Sequence, residues 1–179
     1  DLLPEFDIVG RGYSGDTASM LRERLPYTCT PYAPAAVFLQ AGINDLQRGA
    51  SPEETARSVG EALIAVRKLC PGAKLHLLAL YPVNCSSEKF SLFRPKAFSK
   101  REALTLISRT NTLLREEAAA RGAEFHDFGD VLRDGGGELR EEFSCDGLHL
   151  TVEGYHSLSE ALRPALAHYQ QRSDQEGSK

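Results

Sequence analysis

The run AVFLQAGIND, residues 36–45, decides the fold class of this chain. It opens with consecutive apolar residues, the pattern of a strand covered on both faces, and passes through Gly42 into a polar loop. Further strands are predicted at residues 74–80 and 124–127, and another is expected at residues 6–9. Because helical segments separate these strands, the chain is predicted to be an α/β sandwich around a parallel sheet.

The segments between the strands carry the start and stop signals of helices. Ser51 and Glu54 make a capping box with Pro52 at the first helical position, and the pair at 71–72, Pro-Gly, ends that helix. The amphipathic stripes behind other capping residues predict further helices that begin near Asp16, Ser99 and Thr151.

Two stretches of the C-terminal half carry more specific expectations. The polar and aromatic residues 81–98 are predicted to form a long loop that acts as a substrate wall or lid. The apolar spacing of the last helix turns four side chains toward the core, namely Tyr155, Leu158, Leu162 and Leu166. Pro164 within this helix is expected to kink or shorten it, since proline lacks the N–H that the helix needs.

The composition is that of one globular domain. With 179 residues, 41% hydrophobic and 26% charged, the chain is long enough to bury a substantial core. We expect this domain to span residues 1–169 and residues 170–179 to be a polar tail. A net charge of −4 without a basic stripe argues against a nucleic-acid partner. No apolar run approaches the ~18 residues of a transmembrane helix. Residues 1–5 do not have the pattern of a signal peptide, and the sequence does not predict the cellular compartment.

The cysteine and histidine spacings predict no metal site and no cofactor. None of the four cysteines forms a C-x-x-C pair, which favours buried free thiols over a disulfide framework. The five histidines show no H-x-x-x-H or Cys/His spacing typical of a metal site. His126 is expected to be a satisfied, half-buried strand residue, and His156 and His168 to lie on a helix surface.

The run DGLH, residues 146–149, is the strongest chemical signal in the sequence. An Asp and a His three residues apart across a tight turn can face the same way. The Asp146 carboxylate then accepts a hydrogen bond from Nδ1–H of His149, which leaves Nε2 as a general base. Because D-x-x-H is common in surface loops, the pattern alone remains a hypothesis.

Three loops together resemble a known family. Residues 11–17 (RGYSGDT), 42–45 (GIND) and 146–149 (DGLH) resemble, in order, three motif blocks of the SGNH (GDSL-type) hydrolases. The resemblance implies a three-layer, flavodoxin-like α/β/α sandwich and a carboxylic-ester hydrolase of the esterase or lysophospholipase type, with a small-molecule or lipid ester as substrate. It also implies that Gly15 N–H and the Asn44 amide hold the oxyanion.

The same resemblance assigns His149 as the base and Asp146 as its orienting partner. Simpler interpretations stay open for the oxyanion residues. Gly15 is equally a turn glycine, and Asn44 a residue that caps its loop. Asp45 is interpreted as structural, since it turns the loop so that Asn44 points inward.

The nucleophile expected for this family is not in the sequence. Family members carry it in a Gly-Asp-Ser motif after the first central strand, and no Gly-Asp-Ser occurs in residues 1–179. We therefore expect the serine to lie outside this sequence and this chain alone to be inactive. The chain is a fragment, or a second chain complements it, or it is a relative that binds without catalysing. Ser14 and Cys145 are weak substitutes, because Ser14 matches a supporting position and Cys145 shares the loop of His149.

A competing interpretation comes from residues 10–15, which fit G-x-G-x-x-G and would indicate a dinucleotide-binding oxidoreductase. The strand at 36–40 ends in Gln instead of the acidic residue that binds the ribose. Asp16 would also place a carboxylate where the pyrophosphate must sit. A non-catalytic binding domain of the hydrolase fold is the stronger alternative.

Overall fold

The computed structural model describes residues 2–87 and 100–170. Three parallel strands form a sheet in the order β1-β2-β3, with β1 at Ala36–Leu39, β2 at Lys74–Leu78 and β3 at Glu124–His126. Helices alternate with these strands, which confirms the predicted α/β class. In the described sheet, strand order therefore follows chain order.

Six α-helices lie in the described part of the chain. They are α1 (Ala18–Thr28), α2 (Ile43–Gln47), α3 (Pro52–Leu69), α4 (Lys100–Ala120), α5 (Gly129–Leu132) and α6 (Val152–Gln170). Two of these helices, α2 and α5, are single turns that the sequence analysis did not predict. Two short 3₁₀ turns lie at Thr30–Tyr32 and Glu141–Phe143.

The predicted helix starts have their expected caps where the structure describes them. Ser51 Oγ accepts from Glu54 N–H at 3.1 Å, and the Glu54 carboxylate accepts from Ser51 N–H at 2.8 Å, which completes the capping box of α3. Thr17 Oγ1 caps α1, and Thr151 Oγ1 accepts from Gly154 N–H at 3.2 Å at the start of α6. The proposed box at Ser99 lies outside the described residues.

The two faces of the sheet are covered differently. Leu75 and Leu77 of β2 point into the main core, where the buried stripes of α1, α3 and α4 pack. His76 points to the opposite face, where Tyr169 of α6 meets it edge-on. This gives helix, sheet and helix layers. The main core includes, on α3 and α4, Val59, Leu63, Val66, Ile107, Leu114 and Ala118.

The prediction of a strand at residues 6–9 is wrong. These residues join no strand of the described sheet, and Ile8 and Val9 are 52% and 45% exposed. A strand is defined by the ladder that satisfies its N–H and C=O groups, and an apolar pattern does not supply the neighbour. β1 is also less enclosed than its apolar run suggested, because it lies at one edge of the described sheet and its first three residues are only half-buried.

One expectation about α6 is also wrong. Tyr155 is 51% exposed and does not face the core, whereas Leu158 and Leu166 are buried. Of the two effects expected of Pro164, a kink or a shortening, the shortening does not occur, because the helix continues to Gln170. Pro26 likewise lies inside α1, which ends at Thr28. Of the predicted loop at 81–98, residues 88–98 lie outside the described part, as does the tail from residue 171.

Asn111 of α4 fixes the segment that leaves β2. Its Oδ1 accepts from Leu80 N–H at 2.8 Å, and its Nδ2 donates to Leu80 C=O at 2.9 Å. Leu80 is only 3% exposed, so both of its backbone groups need a protein partner.

We predict that Asn111→Ala lowers the free energy of unfolding by about 2 kcal/mol, because it leaves a buried N–H and C=O unsatisfied. Thr112→Ala is the matched control. This neighbour on the same helix is exposed, so its loss stays within about 0.5 kcal/mol. Urea denaturation measures both. A cost for Asn111→Ala no larger than for the control would contradict the assigned role.

Candidate active site

The loops singled out by the sequence lie at the carboxyl edge of the parallel sheet. Gly42–Asp45 follows β1 directly, and residues 79–84 follow β2. Asn84 N–H donates to Gly147 C=O at 2.8 Å, which attaches the 146–149 loop to the segment after β2. In open parallel sheets this edge is where ligands bind. The fold therefore brings the separate sequence motifs to one side of the molecule.

Asp146 and His149 form the predicted pair. His149 Nδ1 lies 2.6 Å from Asp146 Oδ2, and the same carboxyl group accepts from the backbone N–H groups of Leu148 and His149 at 2.9 and 2.7 Å. An ionised carboxylate accepts Nδ1–H, which fixes the imidazole tautomer with the proton on Nδ1. The Asp146 side chain is 15% exposed and the His149 side chain 60% exposed, so the carboxylate is largely enclosed and the imidazole lies at the surface.

The pKa of Asp146 is lowered from its ordinary value. Burial acts to raise this pKa, but the hydrogen bonds from His149 N–H, the His149 imidazole and Leu148 N–H together outweigh it. Asp146 therefore remains a carboxylate under mildly acidic conditions. A permanently ionised partner is what an orienting acceptor for a histidine base requires.

Local contacts within the turn hold this pair in place. Ser144 Oγ accepts from Gly147 N–H at 2.7 Å and donates to His149 C=O at 3.0 Å. Gly147 has a φ of +83°, a left-handed conformation that glycine adopts at little cost. The sequence D-G-L-H thus supplies both the carboxylate–imidazole pair and the residue that lets the chain turn between them.

Gly15 and Asn44 lie close together in a corner beside the start of α1. The Asn44 amide donates to Asp16 C=O at 2.8 Å, and Arg48 donates to Gly15 C=O at 3.0 Å. Gly15 has a φ of +82°, so its turn geometry favours glycine. Arg48 was missed by sequence reasoning, because an exposed arginine on a short helix gives no signal of such a contact.

Asp45 anchors this corner to α1. Its Oδ2 accepts from Ala18 N–H at 2.9 Å at the helix start, as a structural residue would. Burial raises the pKa of Asp45, against the lowering effect of the Ala18 hydrogen bond. This carboxylate occupies the N-terminal end of α1, where a dinucleotide-binding domain holds the pyrophosphate. The arrangement argues against the dinucleotide interpretation of residues 10–15.

The remaining histidines divide into surface and buried groups. His156 and His168 are exposed on α6, as predicted. His126 is satisfied by His76, whose Nδ1 lies 2.8 Å from His126 Nε2. Glu124 joins these two histidines in a cluster whose ligand atoms lie within 4.8 Å of one another. Sequence spacing gave no sign of this cluster, because its members come from two strands far apart in the chain.

Comparisons with known proteins identify the family to which the chain is similar. Residues 2–156 match the model of the GDSL-like lipase/acylhydrolase family. A Streptococcus pneumonia protein provisionally described as a platelet activating factor is 30% identical, with a TM-score of 0.79 over 89% of this chain and 72% of that one. Among curated proteins, none matches the chain significantly.

More distant solved structures share the fold. A GDSL-like lipase from Bacteroides thetaiotaomicron VPI-5482 superposes with a TM-score of 0.78 at 20% identity, over 94% of this chain and 79% of that one. A carbohydrate acetylesterase from Sinorhizobium meliloti gives 0.73 at 20% identity, over 94% and 81%. Within the described residues, no helix is long and apolar enough to cross a membrane. The family match spans most of the sequence, and the chain therefore belongs to the GDSL-like lipase/acylhydrolase family, the SGNH hydrolases.

Proposed function

We propose that this chain carries the base and oxyanion groups of a carboxylic-ester hydrolase that works by serine acyl transfer. Membership of an acylhydrolase family supports the reaction class. The 2.6 Å contact between His149 Nδ1 and Asp146 Oδ2 is the observation that carries the proposal. The serine nucleophile is proposed to come from outside the given sequence, from an upstream segment or a complementing second chain.

In this mechanism His149 moves the protons. As the serine oxygen attacks the acyl carbon, Nε2 takes the hydroxyl proton, and Asp146 stabilises the imidazolium that forms. When the ester C–O bond breaks, the imidazolium returns the proton to the leaving alcohol. Water then attacks the acyl-serine with the same base, which releases the acid and regenerates the serine. No metal or organic cofactor takes part.

The Gly15 N–H and the Asn44 amide are proposed to hold the negative charge on the acyl oxygen. The Asn44 nitrogen carries two N–H donors, so one can keep its bond to Asp16 C=O while the other serves the oxyanion. A donor positioned in advance by the fold needs no reorganisation when charge develops. The Arg48 contact to Gly15 C=O supports this role by restraining the residue whose N–H is the proposed donor.

The substrate is proposed to be a small-molecule or lipid ester. The neighbours in fold include a carbohydrate acetylesterase and a GDSL-like lipase, so short acyl groups and lipid esters both suit the family. The absence of Gly-Asp-Ser from residues 1–179 favours one alternative, a binding domain of the same fold without catalysis. Hydrolysis of p-nitrophenyl acetate by protein made from the full coding sequence separates the two.

In that full-length protein, His149→Ala is expected to reduce kcat by roughly 10⁴-fold or more, because the general base is lost. His156→Ala, an exposed histidine of α6, is the matched control and retains activity. Circular dichroism checks that both variants are folded. Turnover by His149→Ala within tenfold of the control would refute the assignment.

Asn44→Ala is expected to lower kcat by roughly 10²–10³-fold with little change in KM, since an oxyanion donor acts mainly in the transition state. Gln47→Ala removes an amide from the same short helix, α2, and serves as the control. Steady-state kinetics separate kcat from KM. Equal effects of the two substitutions, or a loss confined to KM, would show that Asn44 has only a structural role.

The pH dependence of kcat/KM is expected to show a single protonation on its acid side. Because the pKa of Asp146 is lowered, this carboxylate stays ionised over the acid side of the profile and adds no second protonation, so activity falls with a slope of one as pH decreases. A neutral ester substrate keeps other ionisations out of the profile. A slope of two above about pH 4, the ordinary aspartate range, would mean that Asp146 titrates together with the base.

A further inference from the structure

Outside the proposed active site, three metal-binding side chains converge on the face of the sheet that α6 covers. The β2–β3 register pairs His76 with Glu124, and His126 follows two residues later on the same face. The closest atoms are His76 Nδ1 and His126 Nε2 at 2.8 Å, His76 Nδ1 and a Glu124 oxygen at 3.7 Å, and His126 Nε2 and the other Glu124 oxygen at 3.6 Å.

These separations resemble those around a tetrahedral metal ion. With bonds of about 2.0–2.1 Å from zinc to nitrogen or carboxylate oxygen, neighbouring ligand atoms of a tetrahedron lie roughly 3.3–3.4 Å apart. The three observed separations fall on either side of this value, and the two to Glu124 involve different oxygens of its carboxylate. Small movements of the two rings and a rotation of the exposed Glu124 side chain, which presents one oxygen to the ion, would therefore bring all three groups into the first coordination sphere.

Burial gives the cluster a closed side and an open side. The side chains of His76 and His126 are only 5% and 11% exposed, whereas Glu124 is 67% exposed. Two nitrogen donors thus lie inside the protein, and the carboxylate stands at the entrance. An ion can enter from solvent past Glu124, and water can occupy a fourth position there.

We propose that His76 Nδ1, His126 Nε2 and the Glu124 carboxylate bind one divalent transition-metal ion, with zinc as the best match. Two imidazoles and one carboxylate are common zinc ligands, and imidazole nitrogen disfavours magnesium and calcium, which prefer oxygen. This site is independent of the ester hydrolysis proposed above and is not part of that mechanism.

The surroundings hold the two imidazoles in a suitable orientation. His76 Nε2 is hydrogen-bonded to the Tyr169 hydroxyl group. A zinc-binding histidine commonly donates its second N–H to an oxygen, which fixes the tautomer. His76 also stacks on Phe38 with ring centroids 4.1 Å apart and an interplanar angle of 5°, and His126 stacks on Phe128 at 5.6 Å and 11°. The rings are therefore positioned before any ion binds.

The location points to a stabilising metal. Tyr169 lies near the end of α6, 17 residues after Val152, which at 1.5 Å per residue is about 25 Å from the helix start beside the His149 loop. An ion bound at the cluster would connect β2 and β3 and, through Tyr169, hold the end of α6 against the sheet. Because a ligand that binds only the folded state stabilises it, zinc is expected to raise Tm.

The direct test is titration of chelator-treated protein with Zn²⁺ against a chromophoric competitor. We expect one ion per chain and an increase in Tm. Glu124→Gln should weaken binding at least tenfold while the fold is kept, since this side chain is exposed and the change is nearly isosteric. His156→Gln, an exposed histidine of α6 outside the cluster, is the matched control and should bind as the parent does. Equal affinity of the two variants would overturn the proposal.

Cobalt substitution identifies the donor atoms. Co²⁺ at this site is expected to give visible bands of a four-coordinate ion without a thiolate charge-transfer band, and His126→Gln should abolish them. Tyr169→Phe should weaken Zn²⁺ binding about tenfold, as expected for loss of an outer hydrogen bond to a ligand. A thiolate band would locate the ion at cysteines instead. If no ion binds, or if the Co²⁺ bands are unchanged in His126→Gln, the proposal is contradicted. The contact between His76 and His126 is then only a hydrogen bond between two imidazoles.

Discussion

The hydrogen bond between His149 Nδ1 and Asp146 Oδ2 is the interaction on which the proposed chemistry depends. A histidine with 60% of its side chain exposed has no fixed ring orientation or tautomer unless a partner imposes them. Asp146 can impose them because backbone N–H groups in its own loop keep it ionised and oriented. A four-residue turn therefore orients the proposed base, and the remainder of the fold has only to position that turn.

The parallel sheet provides this positioning. All three described strands end at the same edge, so the segments that follow β1 and β2 leave it side by side. Asn111 holds the segment after β2 through Leu80, and Asn84 of that segment holds Gly147. These hydrogen bonds connect the helix and sheet layers to the turn that is proposed to be catalytic. Contacts that hold a reacting group in place through its neighbours matter because a small displacement of that group strongly lowers the reaction rate.

Much of this arrangement could be predicted from the sequence, because its signals are local. The capping box at Ser51, the two apolar strands and the D-G-L-H turn each depend on neighbouring residues. The predictions failed where contacts between distant parts of the chain determine the structure. Residues 6–9 have a strand-like pattern but no partner in the described sheet, and Tyr155 lies on the helical stripe yet faces solvent. The His76–Glu124–His126 cluster escaped notice for the same reason, since strand register creates it.

The tautomer of His149 tests the central claim most directly, and it can be measured without substrate. Long-range ¹H–¹⁵N NMR correlations of the ring at a pH where the imidazole is neutral distinguish a protonated nitrogen from an unprotonated one. The account predicts the proton on Nδ1, held by Asp146, with Nε2 unprotonated, and a loss of this preference in Asp146→Asn. A ring with its proton mainly on Nε2, or with no preference, would contradict the assignment of His149 as the oriented base.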